Sequence, residues 1–295
     1  MTSSPWLRRV VVVLFTLAIA LTLSVRAGAI PSGPPSQDEP IVWYDEKGKP
    51  LPFQDVETIM MVLSDAKIVK NKKIDIGVTG PRRLVLEHNG VRLNAAFRNV
   101  DAEHSRVRLP DGTYFQKLHD FNGFEVCAYR ISLMLDMDNV PPAVHRTVDR
   151  EDGTVQLWVE DTMMEQERTD EGLRAPNRLA WMRQTQEMMI FDDLIGNVDR
   201  NPGNLLIDKN WKVWLIDHTR AFQQGDEVKN AERILFVRQG LWDGLQALDR
   251  EAVTEATGDI LDRGDIDDIF KRRDLLVERI QGLIDERGSE AVLWQ

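Results

Sequence analysis

The chain has 295 residues with 42% hydrophobic and 29% charged side chains, a globular balance that excludes a largely disordered or multi-span membrane protein. Lys and Arg number 37 against 48 Asp and Glu, a net charge of -11 that offers no electrostatic footprint for nucleic acid. A single cysteine, Cys127, excludes an internal disulfide framework and any cysteine-rich zinc site.

The first segment concerns address rather than fold. Arg8 and Arg9 precede an uncharged run of 16 residues (10–25), and Ala27-Gly28-Ala29 follows as a small-x-small exit. A positive flank, a short apolar stretch and a small-residue exit describe a secretory signal over residues 1–29. The run is marginal for a permanent anchor, which usually needs ~20 residues, but an uncleaved N-terminal anchor stays open. Either form sends the rest of the chain across a membrane, because the leading arginines stay inside. Residues 30–50 are expected to be a linker, Pro- and Ser-rich at first.

From residue 74 to 160 the pattern reads mostly as strands. Residues 83–87 and 91–98 flank His88-Asn89-Gly90, and Asn-Gly between apolar alternations is a strong hairpin signal. A further strand is expected at 113–118. Apolar residues at helical spacing predict a helix over 125–135, which Pro141-Pro142 stops, and residues 154–159 are again strand-like. Beyond residue 175 the pattern turns helical. A long helix is expected over 179–194, then two short strands at 204–207 and 213–216, then three helices from Ala231. The last should start at Asp265 as N-cap and bury Ile269, Phe270, Leu276, Ile280, Leu283 and Ile284, leaving Arg272-Arg273 on a solvated face. The order is thus a β-rich lobe over 51–160 with one helix, then a mostly helical lobe over 161–295.

The chemistry concentrates between residues 199 and 217. Asp199 and Asn204 stand five apart on a Pro-Gly loop, and Asp217 ends the apolar run 213–216. This is a D-x-x-x-x-N loop followed by a strand-ending Asp. A phosphoryl group in transfer needs one carboxylate to orient the attacking hydroxyl, and an amide oxygen with a second carboxylate to hold a divalent cation on the phosphate oxygens. Asp and Asn also form turns on their own account, so each residue singly is a plain turn-former; the set is what carries the signal. No H-E-x-x-H, G-x-S-x-G or G-x-x-x-x-G-K-[ST] pattern occurs. His218 beside Asp217 is expected to cap or support rather than ligate.

With those residues in place, FDDLIGNVDRNPGNLLID and VWLIDHTRAF resemble the atypical kinases that include secreted Golgi casein kinases, spore-coat kinases, phosphatidylinositol 3-/4-kinases and HipA-type kinases. Residues 125–130 (EVCAYR), 140–144 (VPPAV) and 153–160 (GTVQLWVE) resemble segments of bacterial-type relatives. The resemblance covers roughly residues 74–290. It implies an α+β, protein kinase-like two-lobed fold with a β-rich N-lobe and a helical C-lobe. It also implies ATP or another nucleoside triphosphate, Mg²⁺ or Mn²⁺, and a protein or small-molecule hydroxyl as acceptor. By the same resemblance Asp199 is the catalytic carboxylate, and Asn204 and Asp217 are metal ligands. Glu125 steadies the cation that pairs with the phosphates, Gln156 to Glu160 form the hinge beside the base, and Gly77 and Gly80 bound the phosphate loop. The strand lysine of the pattern is replaced: Arg98 stands where it should be, and Lys117 is the other candidate. That departure leaves two readings, an exported phosphotransferase or a pseudokinase that binds a nucleotide or a partner without turnover. Transfer of a nucleotidyl group is a third.

Overall fold

The computed structural model describes residues 41–74, 80–109 and 112–295. The expected signal at 1–29, the linker as far as residue 40 and Gly77 lie outside these. Among the described residues no helix is long and apolar enough to cross a membrane.

The N-terminal region opens with helix α1 (Val56–Asp65), capped by Asp55, whose carboxylate accepts the Thr58 N–H at 2.8 Å. Strands β1 (Lys67–Lys73), β2 (Arg82–His88) and β3 (Val91–Arg98) follow. Next come a two-stranded ribbon, β4 (Asp101–Arg108) and β5 (Tyr114–Phe121), helix α2 (Gly123–Met134), and strands β6 (Ala143–Val148) and β7 (Glu151–Leu157). Five of these strands form one antiparallel sheet in the order β1-β2-β3-β7-β6, while among the described residues β4 and β5 pair only with each other. The expected hairpin is present. Asn89 (φ 51°) and Gly90 (φ 77°) are both left-handed, as a two-residue turn matching the strand twist requires.

The C-terminal region contains β8 (Thr162–Met164), α3 (Glu165–Asp170), α4 (Arg178–Leu194), β9 (Leu205–Asp208), β10 (Val213–Leu215), α5 (Gln239–Ala247), α6 (Arg250–Thr257) and α7 (Arg263–Arg287). Strands β8, β9 and β10 make a small antiparallel sheet that carries the 199–217 segment.

Two apolar cores result. One lies between α1 and the large sheet and includes Ile59, Val62, Leu63, Leu84, Leu93 and Val155. The other joins α2 to α4 through α7 and includes Val126, Ile131, Phe191, Leu194, Leu241, Ile269 and Leu276. Helix α2 is thus in the chain order of the β-rich lobe but in the core of the helical one. That placement puts Glu125 at the junction of the two.

Three expectations change. Residues 41–50 are not linker: Trp43 is buried against Trp214 with ring centroids 5.1 Å apart, and Gln54 clasps its backbone N–H and carbonyl at 2.7 and 3.0 Å. The last helix starts three residues early, because Asp262 is the N-cap and Asp265 completes a reciprocal capping box with it. Arg272 is not solvated but 1% exposed. Its guanidinium donates to the carbonyls of Leu194 (2.9 Å), Gln223 (3.3 Å) and Gly225 (2.6 Å). Burial lowers its pKa to about 10, against the opposing pull of Asp268 and Asp265.

Those three carbonyls lie at the end of α4 and in the segment after Asp217, so Arg272 ties both to α7. Arg272→Met removes the donors and strands buried acceptors, and is expected to cost about 3 kcal/mol. Arg273→Met, whose side chain lies against Phe270, should cost far less. Urea midpoints of the two variants check this, and equal midpoints would refute the tie.

Candidate active site

A cleft of about 450 Å³ is lined by Ala96 and Arg98 of β3, Gln156 and Leu157 of β7, and Asp199, Asn204, Leu206, Ile216, Asp217 and Arg220 from the other lobe. Its buried end is built on Glu125, which is 0% exposed. Arg98 approaches Glu125 Oε1 with Nη1 at 3.6 Å and points Nε at Asp217 Oδ1 at 4.0 Å. The same Nη1 donates to Gln156 Oε1 at 3.3 Å, and Gln156 Nε2 donates to Glu125 Oε2 at 3.3 Å. From the other side the His218 backbone N–H donates to Glu125 Oε1 at 3.0 Å, and His218 Nδ1 lies 3.0 Å from Oε2.

Burial alone would raise the Glu125 pKa, but Arg98 first and then His218 outweigh it and bring it down to about 2. Arg98 is subject to desolvation as well, which Glu125 and Asp217 overcome, so its pKa is raised.

Local sequence explains the approach of these groups. Strand β7 crosses the end of β3 at Gly153, where a Cβ would stand 2.3 Å from the Arg98 carbonyl oxygen. Glycine there is what lets Gln156, three residues on, reach the Arg98–Glu125 pair. Asp217 takes a left-handed φ of 58°, which aspartate tolerates better than most residues. Its Oδ1 accepts the Thr219 hydroxyl at 3.1 Å.

The loop before β9 is held by Arg200. Its Nε and Nη2 form a two-pronged bond to Asp192 on α4, both at 2.9 Å, and Nη1 donates to the carbonyls of Asn204 (2.8 Å) and Ile216 (2.7 Å). One arginine therefore fixes the loop of Asp199 to the strand end of Asp217. Asn204 spends its amide nitrogen on the Asp199 carbonyl at 2.9 Å, which leaves the amide oxygen as the group it can offer a cation. Asp199 Oδ2 accepts from Arg220 Nη1 at 3.1 Å. Burial pushes the Asp199 pKa up, Arg220 opposes this, and Asp217 adds to it.

Of the residues singled out in the sequence, Arg98, Gln156, Asp199, Asn204 and Asp217 line one cleft. Glu125 stands behind Arg98. Gln156 is not a hinge residue: it lies within β7, and residues 158–161 make the connection to β8. Glu160, in that connection, turns away and binds Asn94 and Arg83. Lys117 is not brought to the cleft. It sits on the exposed ribbon, 2.6 Å from Glu103, because the pleat of β5 points it away from Asp120 and outward. Gly80 (φ 65°) lies between Ile74 and Pro81, which do line the cleft. The sequence pattern does not mark Arg220 or Asp120, which also line the cleft, or Arg200, which holds its loop. Of the three, only Arg200, next to Asp199 in the DR pair, offers a signal by which it could have been found.

No protein-family model matches the sequence, and a search of curated proteins finds no match. Solved structures do match. A Fam20 from hydra, described with sugar, aligns at a TM-score of 0.59 and 14% identity over 81% of this chain and 92% of that one. A Golgi casein kinase aligns at 0.58 and 15% identity over 82% and 80%, and the same kind of kinase with Mn/ADP bound aligns at 0.57 over the same shares. The chain therefore has the two-lobed α+β fold of kinase-like proteins.

Acid stability tests the electrostatics of Glu125. A carboxylate held near 2, against an ordinary 4.5, contributes stability that is present above pH 4.5 and lost as the pH falls toward 2. Glu125→Gln removes that dependence. Urea midpoints measured between pH 5 and pH 2 should fall more steeply for wild type than for the variant; parallel curves would contradict the assignment.

Proposed function

We propose that the protein is a metal-dependent phosphotransferase moving the γ-phosphoryl group of a nucleoside triphosphate to a hydroxyl. The observation that carries this reading is the convergence of Arg98, Asp199, Asn204 and Asp217 on one cleft. The kinase with Mn/ADP bound among the similar folds supports it.

On this reading the apolar strip of Ala96, Leu157, Leu206 and Ile216 receives the base, and Arg98, kept charged by Glu125, faces the phosphates. Asp217 and the amide oxygen of Asn204 would hold Mg²⁺ or Mn²⁺. The donor set fits a hard cation, since such ions take one or two protein oxygens together with phosphate oxygens. When bound, the ion neutralises charge on those oxygens. Asp199 orients the acceptor hydroxyl and takes up its proton as the oxygen attacks. The acceptor is a protein or small-molecule hydroxyl. A pseudokinase reading is favoured by one observation, the arginine in the lysine position, whose fork is not an ammonium point charge.

Two variants test the reading. Asp217→Asn should abolish nucleotide binding supported by Mn²⁺ in calorimetry while the melting temperature holds; undiminished binding sinks the metal assignment. Asp199→Ala should leave that binding unchanged and lower transfer by ~10²–10⁴-fold. A wild type that binds nucleotide but transfers to no acceptor is the pseudokinase outcome.

Export rests on the pattern of residues 1–29 alone. N-terminal sequencing of the exported protein should begin at Ile30, and recovery of Met1 or Thr2 in the membrane fraction would favour an anchor.

A further inference from the structure

The cleft has a second cation that no motif predicts. Arg220 lies three residues beyond Asp217, and its carbonyl accepts the Val198 N–H at 3.3 Å, so its backbone runs beside the Asp199 loop. Its guanidinium is held by two carboxylates. Nη1 donates to Asp199 Oδ2 at 3.1 Å, and Nε donates to Asp120 Oδ2 at 3.0 Å. Asp120 comes from the β4–β5 ribbon, is 2% exposed, and its Oδ1 has no partner. The ribbon is itself tied down there: Gln223 donates to the His119 carbonyl at 2.7 Å and accepts its N–H at 3.0 Å, and the Phe121 N–H donates to the Thr219 carbonyl at 2.8 Å. The third nitrogen of the fork, Nη2, has no hydrogen-bond partner among the described residues, while the side chain remains 28% exposed and lines the cleft.

A guanidinium pinned at two nitrogens cannot turn without losing both bonds, so the direction of the third is fixed in advance. Among the described lining residues the only cations are Arg98 and Arg220. Arg98 is committed to Glu125 and Gln156 at the buried end. Arg220 sits instead on Asp199, the carboxylate assigned to the acceptor. A phosphoryl group in flight spreads its charge over equatorial oxygens and gains most from a donor already in place beside them.

We propose that Arg220 is a catalytic residue whose Nη2 donates to an oxygen of the phosphoryl group during transfer, and that Asp120, from the ribbon, is the residue that positions it. This rests on the phosphotransferase reading. In the step, the acceptor oxygen forms its bond to the γ-phosphorus as the bond to the bridging oxygen breaks. That electron pair leaves with the nucleoside diphosphate, and the acceptor proton passes to Asp199. Arg220 makes and breaks no covalent bond.

The test needs no knowledge of the acceptor. Calorimetry on the full chain compares ADP·Mn²⁺ binding with and without aluminium fluoride, a mimic of the phosphoryl group in flight. Wild type should bind at least ~10²-fold more tightly with fluoride. Arg220→Gln should still bind ADP·Mn²⁺ and lose most of the fluoride gain, read as the ratio of its own two affinities, because the contact exists only in the transferring geometry. Arg220→Lys, a cation without the fork, should recover part of the gain, and Asp120→Asn should lose part of it. If circular dichroism finds Arg220→Gln unfolded, the Arg220→Lys and Asp120→Asn variants decide on the same readout. A fluoride gain retained in all variants reduces Arg220 to a neutraliser of two carboxylates and overturns the proposal. Loss of ADP·Mn²⁺ binding itself in a folded Arg220→Gln does so too, since the contact would then belong to the ground state. A wild type that binds ADP·Mn²⁺ with no gain from fluoride overturns the proposal alone. A wild type that binds no ADP·Mn²⁺ overturns the phosphotransferase reading beneath it.

Discussion

A carboxylate with no exposure at all must be compensated or it will not stay ionised, and Glu125 sets this condition for the rest of the molecule. Its compensation comes from three separate elements: Arg98 on β3, Gln156 on β7, and His218 just after Asp217. Each bond therefore joins α2 to a different part of the chain. The sheet, the helix and the 217–223 segment are held in register by the solvation of one charge. The apolar cores on either side could each be filled without the other, but the charge at their junction needs both.

The same device recurs lower down. Arg200 is bound by Asp192 and gathers the carbonyls of Asn204 and Ile216. Arg272 gathers those of Leu194, Gln223 and Gly225 from inside α7. Segments without regular structure cannot satisfy their own backbone groups, and a planar five-donor side chain does this for several strands of chain at once. The candidate loops are thus positioned by buried arginines on rigid elements rather than by ladders of their own. This suits residues that must hold a fixed geometry while remaining at the mouth of a cleft.

Much of this architecture was legible in the sequence where a short-range rule applies. Asn89-Gly90 dictated its hairpin, and the candidate residues spaced over 199–217, Asp199, Asn204 and Asp217, do line one cleft. Arg272 departs from the solvated face expected of it although its position is periodic: it stands at helical spacing with Ile269, Leu276, Ile280 and Leu283 on the buried face. Charge argues for solvent and helical phase for burial, and a buried arginine follows phase when carbonyl partners await it. The single helix expected in the β-rich lobe is joined by a second, α1, which lies ahead of the strand pattern that begins at residue 74. The ribbon strand β4 was not legible, since Asp101–Arg108 is exposed or nearly so throughout and shows no alternation. Without that ribbon Asp120 had no visible role, and Arg220, whose two carboxylates come from positions 79 residues apart, could not be placed. Long-range pairing of charges leaves no local trace.

The charge balance of the cleft narrows how the proposed chemistry could run. Its described lining presents Asp120, Glu167, Asp199 and Asp217 against Arg98 and Arg220 alone, so before any ligand enters it carries more negative than positive charge. A polyphosphate approaching such a surface is repelled unless it brings cations or meets them there. On the proposed reading divalent ions would be the condition for binding rather than an accessory to it, because neither arginine is free of carboxylate partners. The replacement of lysine by Arg98 fits this balance. A guanidinium keeps its proton and its plane while sharing donors between Glu125 and Gln156, which holds the buried end rigid; on the proposed reading the larger share of phosphate neutralisation would fall to ions held by Asp217 and Asn204.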